Sequence, residues 1–335
     1  MTKELKLNMP KGRGRKPNLY MVLDCETATL PFVKNMDISN SERRKIAIAK
    51  PLIYDIAWRI IDKKGKVYAE HSYLIQETFF VPQIFDTAYY KDKRQSYMAK
   101  FQKGEILAKT WNEVMGILVE ELQNVYLTLA YNAMFDFKKA IIFTESYIKA
   151  LYSDYYQKWE DMQKKKVENL LKGADTNTEN FDEKNLTIRG QLYPIADLWG
   201  LTCERLIDND EYKIKCLETE QFTASGLYFK TSAESTFRYL TKNYQFIESH
   251  TAYEDCLIEC EILKKCLKIR SVSQGIEFFP FRSLGTTVDF ILTNKPNLPR
   301  ATLEKLLNLL EESSNAQART QADYLAHYLY SVKII

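Results

Sequence analysis

Histidine is scarce in this chain of 335 residues, with three in all: His71, His250 and His327. That number excludes a metal centre built mainly from imidazoles and lets each histidine be judged singly. The six cysteines include no C-x-x-C pair and form no regular framework. A ribbon-type zinc site and a disulfide scaffold are therefore both excluded, and the cysteines read as reduced core thiols of a cytosolic protein. No apolar run approaches membrane-spanning length, and the start of the chain lacks the apolar core of a signal peptide. Net charge is also small, at +3. No overall basic field is available, so an anionic partner would have to be met by local patches. What the chain does have is 45% hydrophobic residues, enough for a sizeable core in one elaborated domain or two modest ones.

Read in order, residues 1–17 form a flexible basic arm carrying Lys11, Arg13, Arg15 and Lys16. Such an arm suits either phosphate contacts or solubility. Tyr20 to Leu23 is a continuous apolar run, as expected of a central strand covered on both faces. Strand alternation then places Asp24 and Glu26 on one side and Cys25 on the other. Pro31 to Lys50 is polar, with a helix from Ser41 to Ala49, and Leu52 to Ile61 and Lys66 to Ile75 read as strands around the turn Asp62–Gly65. Residues 76–109 read as irregular, with a Tyr/Lys-rich middle from Tyr89 to Tyr97. Thr110 caps a helix to Leu122; Val125–Ala130 is a fourth strand and Ala133–Tyr152 a helix. A charged insertion spans about 153–188, and Leu192–Ala196 is a fifth strand ending at Asp197. Ser232 caps a helix to Leu240, and Thr251 opens a long one to about Ile269. Residues 271–335 form an extension with at least two further helices. The pattern predicts an α/β fold with a mixed five-stranded sheet flanked by helices.

Three segments carry candidate chemistry. Asp24 and Glu26, at the end of a buried strand, would repel each other unless a positive group stood between them. A divalent cation such as Mg²⁺ or Mn²⁺ favours such hard oxygen ligands. In the second segment, Leu129 to Asp136, a strand ends at Asn132, which can hydrogen-bond across the strand–helix turn, and Asp136 lies in the first turn of the next helix. Alone, Asp136 reads equally well as a helix-start acid favoured by the dipole. In the third, His250 precedes the long helix that presents Asp255. Leu257, Ile258, Ile262, Leu263 and Leu267 form that helix's core stripe, together with Cys256, Cys260 and Cys266.

Asp24-x-Glu26-Thr27, Asn132-Ala-x-Phe-Asp136 and His250-x-x-x-x-Asp255 together resemble the three signature motifs of the DEDDh, or DnaQ-like, 3′–5′ exonucleases. This group includes the proofreading epsilon subunit of bacterial DNA polymerase III. The resemblance covers residues 18–270; Tyr131 stands where many members have histidine, and residues 271–335 have no counterpart. It implies a ribonuclease H-like fold and metal-dependent hydrolysis of phosphodiester bonds at single-stranded DNA 3′ ends, in replication, repair or nucleotide recycling. Two Mg²⁺ (or Mn²⁺) ions would be held by Asp24, Glu26, Asp136 and Asp255, with His250 as general base. Thr27, Asn132, Met134 and Phe135 would contact the substrate. An RNA 3′–5′ exonuclease and a non-catalytic replisome adaptor with a relict site remain alternatives, and Tyr253 is the nearest candidate base in the related group that uses tyrosine. Gln274 to Phe279 resembles the short peptide by which bacterial replication proteins dock on the sliding clamp, although packing within the chain explains the same residues better. The Lys/Asn/Tyr-rich composition suggests a phage or low-GC bacterial source, and hence a cytoplasmic, or host-cytoplasmic, location.

Overall fold

The computed structural model describes Leu7, residues 17–174 and residues 182–332. Lys11, Arg13, Arg15 and Lys16 of the basic arm, and Asp175–Asn180 of the charged insertion, lie outside the described residues. The remainder divides into two compact units. The first comprises residues 17–198, Glu248–Lys264 and Val272–Ile276; the second comprises Trp199–Ile247, Lys265–Ser271 and the chain from Glu277 onward. This division runs differently from the sequence boundaries at 18–270 and 271–335, because residues 199–247 share a core with the tail.

The first unit is an α/β structure. Its sheet contains β1 (Leu19–Ala28), β2 (Leu52–Asp62), β3 (Val67–Ile75), β4 (Leu107–Lys109), β5 (Leu127–Ala130), β6 (Asn185–Ile188) and β7 (Gln191–Asp197). Their order is β4-β3-β2-β1-β5-β7-β6. β1 lies in the middle, antiparallel to β2 and parallel to β5, which explains its unbroken apolar start: Leu19 to Leu23 are all buried. β2–β3 and β6–β7 are also antiparallel, whereas β3–β4 and β5–β7 are parallel.

Among the described residues the sheet thus has seven strands, where the sequence pattern indicated five. The two additions are edge strands of three and four residues. Neither is long enough for a period of two to show, and both fall in stretches dominated by polar residues. The 76–109 segment is likewise more ordered than its composition suggests. Single helical turns at Gln76–Phe79 and Pro82–Phe85 bury Phe79, Ile84 and Phe85, and α2 (Arg94–Gln102) buries Tyr97.

The helices start where local chemistry favours them. α1 (Asn40–Ala49) and α3 (Trp111–Leu122) both open on capping boxes, Ser39 with Glu42 and Thr110 with Glu113. α4 (Ile141–Leu151) is preceded by a π-helical stretch at Asp136–Ala140. α5 (Tyr156–Leu171) buries Trp159, Gln163 and Val167, so the charged insertion carries a packed helix of its own. α6 (Ala252–Ile269) begins after Thr251, whose hydroxyl accepts from the Glu254 N–H at 3.4 Å.

The second unit is mainly helical, with helices at Asp210–Glu218, Ala233–Thr241, Thr287–Asn294, Arg300–Glu311 and Ala316–Val332. Its core gathers Cys203, Tyr212, Phe229, Val288, Leu306 and Leu325. Phe278 and Phe279 are about half exposed, so the packing within the chain expected of them is only partial. Arg282 covers one face of the Phe279 ring at 4.5 Å. All six cysteines are free thiols and buried. No helix among the described residues is long and apolar enough to cross a membrane.

Candidate functional site

The alternation of β1 places Asp24 and Glu26 on one side of the sheet, beyond Tyr20–Val22, the residues of β1 that pair with β5. Just beyond, the register slips: Glu26 faces Asp55, but Thr27 faces Ile53. Bulges of this kind bend a strand and re-aim its side chains. α6 supplies Asp255 in its first turn, and the loop before it supplies His250. Glu26, His250 and Asp255 each offer one ligand atom, and these atoms all lie within 4.8 Å of one another. Residues 224 and more positions apart in the chain are therefore brought to one point by the pairing of β1 and the start of α6.

The histidine is held from several sides. His250 sits in the left-handed region, φ 50°, where a non-glycine residue is strained and needs support. Its ring stacks on Tyr90 at 4.4 Å and 12°, and its Nδ1 lies 3.4 Å from Glu248 Oε2. The Lys93 ammonium donates to the carbonyl oxygens of Ser249 and His250 and lies over the Tyr90 ring at 4.5 Å. Tyr90 and Lys93 come from the Tyr/Lys-rich middle of the 76–109 segment. The histidine side chain keeps 32% of its surface exposed, enough to meet a bound molecule. The other two histidines lie elsewhere. His71 is buried in a hydrogen-bonded chain with Tyr73 and Glu121, and His327 is an exposed residue of the last helix.

Asp24 and Asp136 fall outside the 4.8 Å group but within electrostatic reach. Burial pushes Asp24 well above the usual carboxylate range, and Glu259, Asp136, Asp255 and Glu26 push it further in the same direction. Asp136 is buried and receives the Cys25 thiol on its Oδ1 at 2.9 Å. The sequence reading counted Asp136 among the metal carboxylates and left Cys25 on the other side of the strand. The structure brings that thiol to Asp136, whose ionised form the bond favours, while Asp136 remains a like charge to Asp24. Burial still raises Asp136 to about 7, against the lowering effect of the thiol bond. Burial and Glu248 raise Asp255 to about 8, with Asp55 adding to the rise and Lys93 opposing it.

The remaining expected residues are placed as follows. Asn132 is exposed at the end of β5 and makes no capping bond; the Ala133 N–H is taken at 3.3 Å by Asp197, from the end of β7. Asp197 therefore holds the turn that Asn132 was expected to hold. Met134 and Phe135 are half-buried and pack against the main core. Thr27 is half-buried, next to the register slip. Tyr253 donates its hydroxyl to Glu70 at 2.8 Å, which ties it to β3.

Sequence reasoning missed Glu259, Glu248, Tyr90, Lys93 and Asp55. Glu259 is 3% exposed, four residues after Asp255 on the same face of α6. An acid at that spacing amid Cys256, Ile258 and Cys260 was the available signal. Asp55 is fully buried, and its Oδ2 accepts from both the Tyr97 hydroxyl at 2.7 Å and the Ala252 N–H at 3.0 Å. It thereby ties β2 to the first turn of α6. A cavity of about 380 Å³ opens beside this junction, lined by Asp55, Tyr97, Lys100, Thr251, Tyr253 and Glu254. Comparison of the chain with protein-family models, with curated proteins and with solved structures finds no match.

Proposed function

We propose that the chain is a metal-dependent 3′–5′ exonuclease of the DEDDh type that shortens single-stranded DNA from its 3′ end. The observation that carries this reading is the meeting of Glu26, His250 and Asp255 within 4.8 Å, with Asp24 and Asp136 as charged neighbours. The sheet supports a ribonuclease H-like fold: three successive antiparallel strands come first, and β5 and β7 then add in parallel on the other side of β1.

The donor set suits a hard divalent cation. It consists mainly of carboxylate oxygens, and Asp255 Oδ1 and Glu259 Oε2 are buried with no hydrogen-bond partner. Glu26, Asp255 and Asp24 would hold Mg²⁺ or Mn²⁺, with Asp136 contributing after release from the Cys25 thiol. Such cations, when bound, lower the pKa of water and offset charge developing on the phosphodiester oxygens.

The chain's own groups then have distinct tasks. His250 accepts the proton of the attacking water, a role suited to an imidazole near neutral pH. Tyr90 fixes the ring plane, and Glu248 beside Nδ1 favours the tautomer that carries its proton there, which assigns proton acceptance to Nε2. Lys93 holds the two carbonyls that frame the histidine and partly offsets the charge of Glu26 and Asp255. Exposed Asn132 and half-buried Thr27 stand at the ends of the two central strands, where the terminal nucleotide would lie.

Incubation of the metal-stripped protein with single-stranded DNA, duplex DNA and RNA, each with added Mg²⁺ or Mn²⁺ and each with EDTA, tests the reading. Hydrolysis of single-stranded DNA that EDTA abolishes is expected. Hydrolysis of RNA alone would make the chain a ribonuclease, and absence of hydrolysis with every substrate would overturn the proposal.

A further inference from the structure

We propose that Glu259 is itself a metal ligand, forming with Asp24 and Asp136 a second cation position beside the one at Glu26 and Asp255. The inference deepens the reading above by adding a carboxylate that the family's motifs do not contain. Glu259 lies one helical turn beyond Asp255 on α6, so both project from the same face toward the end of β1. It is 3% exposed, and its Oε2 is buried with no hydrogen-bond partner. Among charged neighbours it exerts the largest influence on Asp24, and its own are led by Asp136 and Asp255, with Cys260 and Glu248 after them. Lys93 acts on Glu26 and Asp255, at the His250 side of the cluster. The largest charged influences on Asp24 and on Glu259 are all carboxylates and a thiol.

A buried carboxylate in such company has two ways to become neutral: take up a proton, or share a cation. A proton would make Glu259 a hydrogen-bond donor, and a purely structural glutamic acid would be expected to use it. A divalent cation neutralises two carboxylates at once and gives the unpartnered oxygen a ligand to hold. Three carboxylates from β1, the π-helical stretch and α6 then make an all-oxygen position, the donor set that Mg²⁺ and Mn²⁺ prefer.

The test is Mn²⁺ binding to the full-length, EDTA-stripped chain, followed by electron paramagnetic resonance of free Mn²⁺ and by calorimetry, for the parent and for Glu259→Gln. The parent is expected to bind two ions. Glu259→Gln is expected to retain the one at Glu26 and Asp255 and to lose the other or bind it at least about tenfold more weakly. Binding by Glu259→Gln with the parent's stoichiometry and affinity would overturn the inference. Should Glu259→Gln not fold, as judged by circular dichroism, Glu259→Asp takes its place. Its carboxylate, set back by one methylene, should weaken the second ion, and unchanged binding would again overturn the proposal. DNA hydrolysis by the parent, measured alongside, separates the two claims. Hydrolysis with an unaffected Glu259→Gln titration removes the Glu259 assignment alone, and a lost second ion without hydrolysis removes the nuclease reading alone.

Discussion

Asp55 offers a stability test whose size and sign follow from the structure. Both of its hydrogen bonds, from Tyr97 and from Ala252, fall on Oδ2, while Oδ1 is buried without a partner. An asparagine with its carbonyl in the Oδ2 position keeps both bonds and removes the charge, at the pH-independent cost of an amide NH₂ in the unpartnered Oδ1 position. Burial raises Asp55 from 3.8 to about 6, even though both bonds and Lys100 pull the other way. At about 1.4 kcal/mol per unit, that rise corresponds to roughly 3 kcal/mol of native-state cost for the ionised carboxylate. Because the folded value lies above the unfolded one, the native state holds this proton more tightly. The cost is therefore absent below the unfolded value of 3.8, grows as pH rises, and is complete above about 6. Relative to the parent, Asp55→Asn should accordingly be up to about 3 kcal/mol more favourable at pH 8 than at pH 4, the amide cost being the same at both.

Asp55→Ala behaves differently, because it leaves two buried donors without an acceptor. At about 1–3 kcal/mol each, the alanine variant should fall about 2–6 kcal/mol below the asparagine variant. It should also lose hydrolysis, since the freed Ala252 N–H belongs to the turn that presents Asp255, whereas Asp55→Asn should keep it. Urea unfolding in EDTA at the two pH values measures all three proteins. An asparagine variant whose stability relative to the parent does not rise from pH 4 to pH 8 would refute the reasoning.

Asp24→Ala and Asp255→Ala should each abolish hydrolysis while raising the melting temperature of the metal-free protein, because each relieves like-charge repulsion; near-normal turnover in Mg²⁺ would contradict the assigned carboxylates. His250→Ala should lower turnover by about 10² to 10⁴ with little loss of metal affinity, as single-turnover kinetics and Mn²⁺ titration would report. An unchanged rate would pass the role of base to Tyr253, against its bond to Glu70. Gln274 is engaged with the Lys184 carbonyl and Asn185, so immobilised bacterial sliding clamp should not retain the chain. Retention that disappears when Phe278 and Phe279 are both changed to alanine would show clamp docking instead.

The site residues that stand in recognisable motifs were legible in the sequence, and those that only the fold brings to them were not. Asp24 and Glu26 follow a buried apolar run, so alternation alone put them together, and Thr251 marked the start of α6. Tyr90 and Lys93 lie where no period holds, and their role depends on a loop fold that brings them to His250. Glu259 was hidden differently. Beside Cys256, Ile258, Cys260 and Ile262 of α6 it reads as one polar residue among core neighbours, and only its burial and its influence on Asp24 set it apart. Asp136 was read in its right place along the chain, but the bond from Cys25 depends on how the π-helical stretch turns. β4 and β6 escaped notice because strands of three and four residues carry no pattern of their own.

The most direct measurement follows 5′-labelled and 3′-labelled single-stranded DNA side by side during digestion in Mg²⁺, with EDTA and Asp255→Ala as controls. The account predicts that the 3′ label leaves at once as a mononucleotide while the 5′-labelled strand shortens one nucleotide at a time, and that both controls are inert. Release of the 5′ label first, internal cuts in both strands, or digestion that continues in EDTA would contradict it.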